Sequence, residues 1–361
     1  MDRQKIFTQN PDAEQWSRIK QYSYIDNIKK YARANNISIG NKECLEAISG
    51  SIIQAEEYFK AANNSSFHIA PLLYYYGSTN LMYSVLGLSS QEKPIIKNHG
   101  LKLHIPEGKH RIADICVQIV DVGCGAFSVI NRDLFNSQTD LGGIQFKLLD
   151  VIGSIPELLS DFLVCYEDGL NYSIPINKLV RKKEYSYRAK IRDLDRWNNQ
   201  SEAIEMIEGL KSNFLNPLVT GQDQYIVFRN RIDGKDISYS SRSGQKSFQI
   251  SHDHGNRKIS LHPFMYVFIS LFALGYISRY RPDIWTPFVR QDSSGERHIL
   301  EKLVTLADYY APWIALSYIY RKEIRFESLS EGEIDLTHMD LKEELHEVVQ
   351  KELSDMIRKK T

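Results

Sequence analysis

The sequence is poor in cysteine and has no excess of charge of either sign. Its 4 cysteines are scattered over 361 residues, with no C-x-x-C pair and no histidine at zinc-finger spacing, so neither a disulfide framework nor a zinc finger is indicated. The 45 basic and 45 acidic residues cancel, whereas proteins that coat DNA or RNA carry a positive excess. We expect reduced thiols, no metal and no cofactor, and nucleic acid is not the favoured partner.

The sequence also lacks a signal peptide and a segment long enough to span a membrane. Its N-terminus leads into polar sequence without an apolar stretch, which predicts a cytoplasmic protein. Residues 263–278 carry no charge, but Arg279 and Arg281 close this run, and a span needs about 20 apolar residues. We predict a buried helix there and no association with a membrane.

The hydrophobic pattern divides the chain into four parts, two of which are helical flanks around a β-rich region. Apolar residues at three- and four-residue spacing predict helices in the first and third parts, and short β-branched runs between turns predict strands in the second. The last part reads as one amphipathic helix with a capping box that begins at Thr337. The four parts are residues 1–93, residues 94–259, residues 260–325 and residues 326–361.

We expect an α+β fold, because each helical flank is too apolar to be a small domain of its own. The N- and C-terminal helices should pack on each other and form a predominantly helical body, with the β-rich region inserted between them. Asn41 is expected to cap one helix, Gly87 to end the next, and Pro312 to kink a later one near Tyr309. The predicted strands include residues 115–120, 125–130, 185–191, 225–228, 237–239 and 247–250.

The tail helix, residues 337–360, follows a polar linker and carries a strong apolar stripe. An isolated helix of this length is marginal in water, so the stripe must be buried somewhere. The tail can dock on its own body, on a second subunit or on another protein. We predict that it mediates association with a second subunit or another protein.

Two arginines stand where the most apolar helix ends, beside aromatic residues. Arg279 and Arg281 could grip a phosphate or carboxylate through paired hydrogen bonds. Alternatively, they could satisfy the last carbonyls of the helix and pair with Asp283. His99 precedes a glycine in a loop and could serve as a general acid or base, or simply bond to nearby backbone. Together with Asn80, these residues are the candidates for binding a ligand, and no catalytic residue is assigned.

Residues 181–196 are rich in basic side chains. If residues 185–192 form a strand, Arg188, Lys190 and Arg192 share one face of it. That face could meet RNA or a phosphorylated ligand, or it could be a solvated sheet face partly neutralised by nearby acids.

Two further patterns suggest chemistry at first sight. His252 and His254 have the spacing of metal ligands on a strand, but further ligands are not apparent, which favours a polar turn. The segment Asp121-Val122-Gly123-Cys124-Gly125 resembles a glycine loop for a dinucleotide, yet a third glycine is missing and the following residues look strand-like, which favours a hairpin turn. Cys124 has no identifiable base and is not expected to act as a nucleophile.

Several segments together resemble the bacterial YaaC-like family over roughly residues 45 to 320. The resemblance implies a shared organisation, but the family offers no established reaction to transfer. The tail after Phe326 is not part of it. The segments are Ala70–Leu81 (APLLYYYGSTNL), His99-Gly100-Leu101, Leu261-His262-Pro263, Ser278–Trp285 (SRYRPDIW) and Tyr310-Ala311-Pro312-Trp313.

We consider two classes of function for this chain. The first is a non-enzymatic interaction or regulatory protein that associates with itself or with a partner protein. The second is a HEPN-like nuclease or nucleotide-acting effector of a bacterial defence or stress system, in which an arginine and a histidine act together. No helix carries the R-x4–6-H signature of such nucleases, since neither Arg279 nor Arg281 is followed by a histidine at that spacing. The first class is therefore favoured.

Overall fold

A computed structural model describes most of the chain up to the predicted tail. The tail helix and the predicted turn at residues 232–235 lie outside the described residues. These residues are 2–108, 110–136, 140–181, 184–207, 210–215, 217–220, 225–229, 231 and 236–327.

The fold is α+β, as the sequence predicts. The α-helices in the described part are α1 (Pro11–Lys20), α2 (Ile25–Ala34), α3 (Lys42–Asn63), α4 (Ala70–Ser90), α5 (Ala126–Asp133), α6 (Leu148–Gly153), α7 (Leu159–Cys165), α8 (Gln200–Glu205), α9 (Leu210–Asn213), α10 (Pro263–Tyr280), α11 (Pro282–Gln291) and α12 (Glu296–Tyr320). The strands are β1 (Asp2–Phe7), β2 (Leu101–His104), β3 (Cys116–Ile119), β4 (Gln145–Lys147), β5 (Ser173–Arg181), β6 (Glu184–Lys190), β7 (Leu218–Thr220), β8 (Tyr225–Arg229), β9 (Tyr239–Ser240), β10 (Lys246–Gln249), β11 (His252–Asp253), β12 (Lys258–Ile259) and β13 (Lys322–Glu327).

A helical body surrounds α4, which packs against α3, α10 and α12. Helix α10 has no polar face, and almost every residue from Pro263 to Ile277 is buried. None of the described helices has the length and apolarity to cross a bilayer. The predicted buried helix at residues 263–278 is confirmed.

The described residues form two hydrophobic cores. The larger core consists of residues between 6 and 166 and between 259 and 324. The smaller core consists of residues between 174 and 250. A six-stranded antiparallel sheet of order β7-β8-β6-β5-β10-β9 carries the smaller core. On its buried face Phe248 meets Tyr187 and Phe228 edge-on, with ring centroids 5.4 and 5.2 Å apart. The predicted division of the chain at residues 94 and 259 remains a prediction.

The two ends of the described chain meet in a parallel pair of strands, β1 and β13. Ile6 is buried and lies opposite Phe326, and Trp313 of α12 donates its indole N–H to the carbonyl of Ile324 over 2.8 Å. Sequence reasoning missed both strands, because each is short and half-polar.

One predicted strand is wrong. Residues 126–130 are the start of helix α5, and Gly125 is its extended N-cap residue. Their β-branched and aromatic side chains favour a strand locally, but Ala126, Phe127, Val129 and Ile130 are all buried. The tertiary environment therefore overrides local propensity, and the predicted hairpin is instead a turn from β3 into a helix.

Other boundaries also differ from expectation. Gly87 lies inside α4, and a Cβ there would lie 2.6 Å from Cγ1 of Ile48, so this glycine permits close packing of α3 and α4; the helix continues to a left-handed Gln91. Helix α12 runs through Pro312 without a break. The predicted cap is confirmed, since Asn41 Oδ1 accepts the N–H of Cys44 over 2.8 Å.

Candidate functional site

An open cleft of about 340 Å³ lies between α4, α10 and the segment that leads into β2. We call it the aromatic cleft, since five of its ten lining residues are tyrosine or phenylalanine. Its lining residues are Leu72, Tyr75, Tyr76, His99, Leu101, Phe272, Gly275, Tyr276, Arg279 and Tyr280.

Helix α10 supplies half of this lining through one face. Phe272, Tyr276 and Tyr280 follow one another at four-residue spacing, and Gly275 and Arg279 are also four residues apart. Residues at this spacing lie on the same side of a helix, so all five face the cleft. Gly275 lies close to the backbone of α4, since a Cβ there would be 3.1 Å from Cα of Leu72. A side chain at this position would require the two helices to separate by a few tenths of an ångström.

His99 is brought to the cleft by the start of α5. The carbonyls of Asn98 and His99 accept the N–H groups of Ala126 (2.8 Å) and Phe127 (3.2 Å). The next residue, Gly100, has a φ of +76°, and a Cβ on it would lie 2.8 Å from Cα of Gly125. Only glycine suits this crossing, so the glycine after His99 has a backbone role.

The imidazole of His99 is oriented by Tyr75, whose hydroxyl oxygen lies 2.9 Å from Nδ1. Tyr75 is 2% exposed, and its burial raises the pKa of its hydroxyl well above the ordinary value, so the hydroxyl stays protonated and can donate to Nδ1. That assignment places the imidazole proton on Nε2. Partial burial of the ring, and then the positive charge of Arg279, lower the pKa of His99. The ring is therefore a neutral donor at pH 7.

Arg279 and Arg281, which look equivalent in the sequence, have different surroundings. Arg279 donates from Nη1 to the hydroxyl of Tyr76 over 3.3 Å, and its guanidinium lies 4.9 Å from the ring centroid of Tyr280. Arg281 lies outside the cleft and binds Asp283 through Nε (3.0 Å) and Nη2 (2.7 Å). Within the described ranges, no carboxylate lies at ion-pair distance from Arg279.

The charge of the cleft follows from this difference. Arg279 is its one permanently charged lining residue, and no carboxylate among the described residues lines it. This positive charge is exposed to solvent and lies beside apolar aromatic surface. The cleft therefore favours a ligand that combines a negative charge with a flat apolar surface.

Asn80 does not line the cleft. Its side-chain amide donates to the carbonyl of Tyr76 one turn earlier, over 3.0 Å, and this contact serves the helix. The signal that sequence reasoning missed was the tyrosine spacing, since Tyr76, Tyr276 and Tyr280 were not singled out. Phe272, Tyr276 and Tyr280 at four-residue spacing on an otherwise apolar helix could have marked this face.

The basic strand is shorter than predicted. Arg188 and Lys190 lie on β6 and alternate with the buried Tyr187 and Ala189, but Arg192 belongs to the 3₁₀ turn Ile191–Leu194. Its position on a strand face was wrong, because the strand ends at Lys190. Arg188, which does lie on the strand, stacks on Tyr225 of β8, with its guanidinium carbon 4.5 Å from the ring centroid.

His252 and His254 both pack edge-on against Phe146, with ring centroids 5.4 and 5.1 Å apart. His252 is buried, its Nε2 lies 2.9 Å from the hydroxyl of Ser154, and its ring stacks on Tyr172 at 4.0 Å. Burial lowers the pKa of His252 to about 3. In the described part of the chain, no three histidine, cysteine, aspartate or glutamate side chains are grouped so that they could hold a metal ion.

The glycine-containing turn after β3 is held by its own aspartate. Asp121 Oδ1 accepts the N–H groups of Gly123 and Cys124, each over 2.9 Å, and Oδ2 accepts from the side chain of Asn98 over 2.7 Å. Strand β3 pairs antiparallel with β2 and β4. A dinucleotide site of the usual kind needs a parallel sheet, so a helix after this turn does not create one.

A family model described as YaaC-like Protein matches residues 6–319. This range contains both helices of the aromatic cleft and the histidine loop. No curated protein and no solved structure is detectably similar to the chain.

Proposed function

The chain belongs to the YaaC-like family, and from that premise we propose that it is a non-enzymatic regulatory protein. Its aromatic cleft binds a small anionic ligand, and the protein associates with itself or with a partner protein. Ligand binding in the cleft is the part of this function that the geometry supports most directly.

The observation that carries the proposal is the contrast between two neighbouring arginines. The charge of Arg281 is already neutralised by Asp283 at 2.7 Å. Arg279 faces only the Tyr76 hydroxyl and the Tyr280 ring in the described structure. A guanidinium held by aromatic groups, without a carboxylate beside it, keeps its paired N–H donors for a carboxylate or a phosphate.

The composition of the lining favours binding over catalysis. Acid–base chemistry in proteins usually employs groups with complementary protonation states. His99 is the one lining residue of a type that titrates near neutrality, its pKa is lowered here by burial and by Arg279, and no cysteine, serine, threonine or carboxylate of the described residues accompanies it. A cleft with donors and rings, but without a nucleophile or second acid, supports recognition.

Isothermal titration calorimetry tests the proposal with two variants matched in sequence position. Phenyl phosphate and 4-hydroxybenzoate serve as probes because each joins one aromatic ring to one anionic group. Arg279→Ala should weaken binding of these probes by about 10- to 100-fold, the effect of losing a charge-assisted hydrogen bond. Arg281→Ala removes the same charge outside the cleft and should leave the affinity within about twofold, as expected for an exposed, paired arginine. Equal losses in both variants would mean that only the overall charge matters, and absence of binding to the unmodified chain would refute the proposal.

A second candidate function is the HEPN-like nuclease or nucleotide-acting effector, and one observation favours it. Arg279 and His99 lie far apart in sequence but line the same cleft, so the two residue types that such enzymes use come together without the R-x4–6-H spacing. Incubation with single-stranded RNA decides between the two. If the RNA is cleaved and cleavage is lost in His99→Ala, the nuclease function is supported. If the RNA stays intact, the regulatory function is supported.

A further inference from the structure

The rings of the aromatic cleft are arranged as a floor and a rim. Tyr75 and Phe272 form the floor and are 2% and 5% exposed, with ring centroids 5.7 Å apart. Tyr276 and Tyr280 belong to the rim, are 38% and 54% exposed, and lie 4.9 Å apart. The planes of the two rim rings are inclined by 51°, so each exposed ring offers its own face for contact with a flat group.

The polar groups of the cleft are mainly hydrogen-bond donors. Arg279 carries guanidinium N–H groups, His99 carries its proton on Nε2, and the rim tyrosines have hydroxyls that can donate or accept. Such a set complements a heterocycle with ring nitrogens and carbonyl oxygens at its edge. A plain hydrocarbon ring would leave these donors unpaired, at a cost in affinity.

The charge of the cleft limits the charge of the ligand. One arginine matches a single phosphate group, whereas a nucleoside triphosphate is normally held by several cations or by a metal ion on carboxylates. No carboxylate of the described residues lines the cleft. A volume of about 340 Å³ is at the lower end for small-molecule sites, which suits one nucleotide and not two.

We infer that the anionic ligand of the aromatic cleft is a nucleoside monophosphate. This inference rests on the proposed function and names its ligand class. The base stacks on the ring of Tyr280, with its edge toward the Nε2 proton of His99, and the phosphate pairs with Arg279. Purines bind more tightly than pyrimidines, because their two fused rings cover more of the aromatic surface.

Calorimetry on the full chain tests the inference with AMP, GMP, CMP, UMP, adenosine and ATP. The expected order is purine monophosphates first, then pyrimidine monophosphates, with adenosine at least tenfold weaker than AMP and ATP no tighter than AMP. The 5′-monophosphates and the 3′,5′-cyclic monophosphates carry the same base and a single phosphate. Comparing them identifies which form the cleft prefers, and preference for either supports the inference.

Three variants assign the contacts. Arg279→Ala should make AMP and adenosine bind equally, because the phosphate loses its partner while the base keeps its contacts. Tyr280→Ala should weaken AMP and adenosine alike, by about tenfold or more, as loss of a stacking ring does. Tyr24 is 68% exposed and lies outside the cleft, so Tyr24→Ala should leave all affinities unchanged. Circular dichroism confirms that each variant remains folded.

The possible outcomes distinguish the inference of a nucleotide ligand from the broader proposal that the cleft binds a small anion. If phenyl phosphate binds as tightly as AMP and still depends on Arg279, the nucleotide inference fails and anion binding stands. If no anion binds, both fail. If ATP, or a single-stranded oligonucleotide, binds over tenfold more tightly than AMP, the inference of a free monophosphate is overturned.

Discussion

The carboxylate of Glu296 accepts a hydrogen bond from the hydroxyl of Tyr166, with 3.1 Å between the two oxygens. Glu296 is 3% exposed and also accepts the backbone N–H groups of Ile112 (3.0 Å) and Ala113 (2.7 Å). One side chain at the start of α12 thus satisfies the first turn of the 3₁₀ helix Ile112–Asp114 and a buried tyrosine. The contact joins the beginning of the last long helix to a segment about 180 residues earlier in the chain.

We predict that Glu296→Ala destabilises the fold by about 3 kcal/mol, because it leaves three buried donors without an acceptor. Glu296→Gln keeps one acceptor oxygen and should cost less. Glu301→Ala is the matched control on the same helix, since Glu301 makes a partly exposed pair with Arg297 and should cost less than about 1 kcal/mol. Urea unfolding measures all three, and an equal effect of Glu296→Ala and Glu301→Ala would contradict the assigned role of Glu296.

Glu157 should make stability depend on pH. Both of its carboxyl oxygens are buried without a hydrogen-bond partner in the described structure, and burial raises its pKa from 4.5 to about 7. The folded state therefore holds this proton more tightly than the unfolded state. Its contribution to stability is complete below about pH 4.5 and is lost as the pH rises to about 7, by up to about 3 kcal/mol at 1.4 kcal/mol per pKa unit.

We expect Glu157→Gln to remove that dependence, since the amide stays neutral at every pH. The variant should be more stable than the unmodified chain at pH 8, and the difference should shrink toward pH 4.5. Urea midpoints at pH 5, 6, 7 and 8 measure it. Asp150, whose pKa burial raises to about 6, contributes equally to both chains and cancels in the comparison. Parallel pH profiles for the two chains would show that Glu157 ionises without penalty.

Two glycines on neighbouring helices should respond oppositely to alanine. A Cβ at Gly77 of α4 would lie 2.6 Å from Cδ2 of Phe59, whereas nothing lies within 4 Å of a Cβ at Gly50 of α3. Gly77→Ala must displace a buried ring and should cost about 1–3 kcal/mol. Gly50→Ala should add about 0.5–1 kcal/mol, because alanine restricts the unfolded chain and favours the helix. Thermal unfolding measures both, and shifts of the same sign would contradict the packing of α3 on α4.

The predicted tail helix, residues 337–360, is tested by ending the chain after Glu327. This position keeps β13 whole, because Glu327 lies opposite Phe7 in the register and its carbonyl accepts the N–H of Thr8 over 3.0 Å. We expect the shortened chain to remain folded and to fall from dimer to monomer in light scattering. If the shortened chain keeps the same number of subunits per particle as the full-length chain, the tail does not mediate association. A full-length chain that is already monomeric would likewise show that the tail packs on its own body.

Local patterns in the sequence predicted those elements that depend on local chemistry. The capping of α3 by Asn41 and the burial of α10 follow from a side-chain acceptor three residues from its donor and from an unbroken apolar run, and both are present. The α+β class follows in the same way, from the change between helical and strand-like periodicity. Family resemblance added the order of these segments along the chain.

The aromatic cleft could be predicted only in pieces. His99 and Arg279 were candidates because of their residue types, but Tyr76 and Arg279 meet across 203 positions, and no local periodicity reports such a contact. Arg279 and Arg281 were equal candidates in the sequence, and only the ion pair of Arg281 with Asp283 in the structure distinguishes them. Arg192 was placed on a strand by simple alternation, although the strand ends two residues earlier.

The sequence by itself determined where apolar stretches become helices and where caps begin them, because these depend on neighbours within about one helical turn. Tertiary structure alone decided that the residues after Gly125 form a helix and that Gly87 lies within one, since each outcome depends on what the backbone packs against. It also decided that Arg279, and not Arg281, keeps a free charge at the cleft. A side chain's charge balance depends on every group within a few ångströms, and only the folded chain brings those groups together.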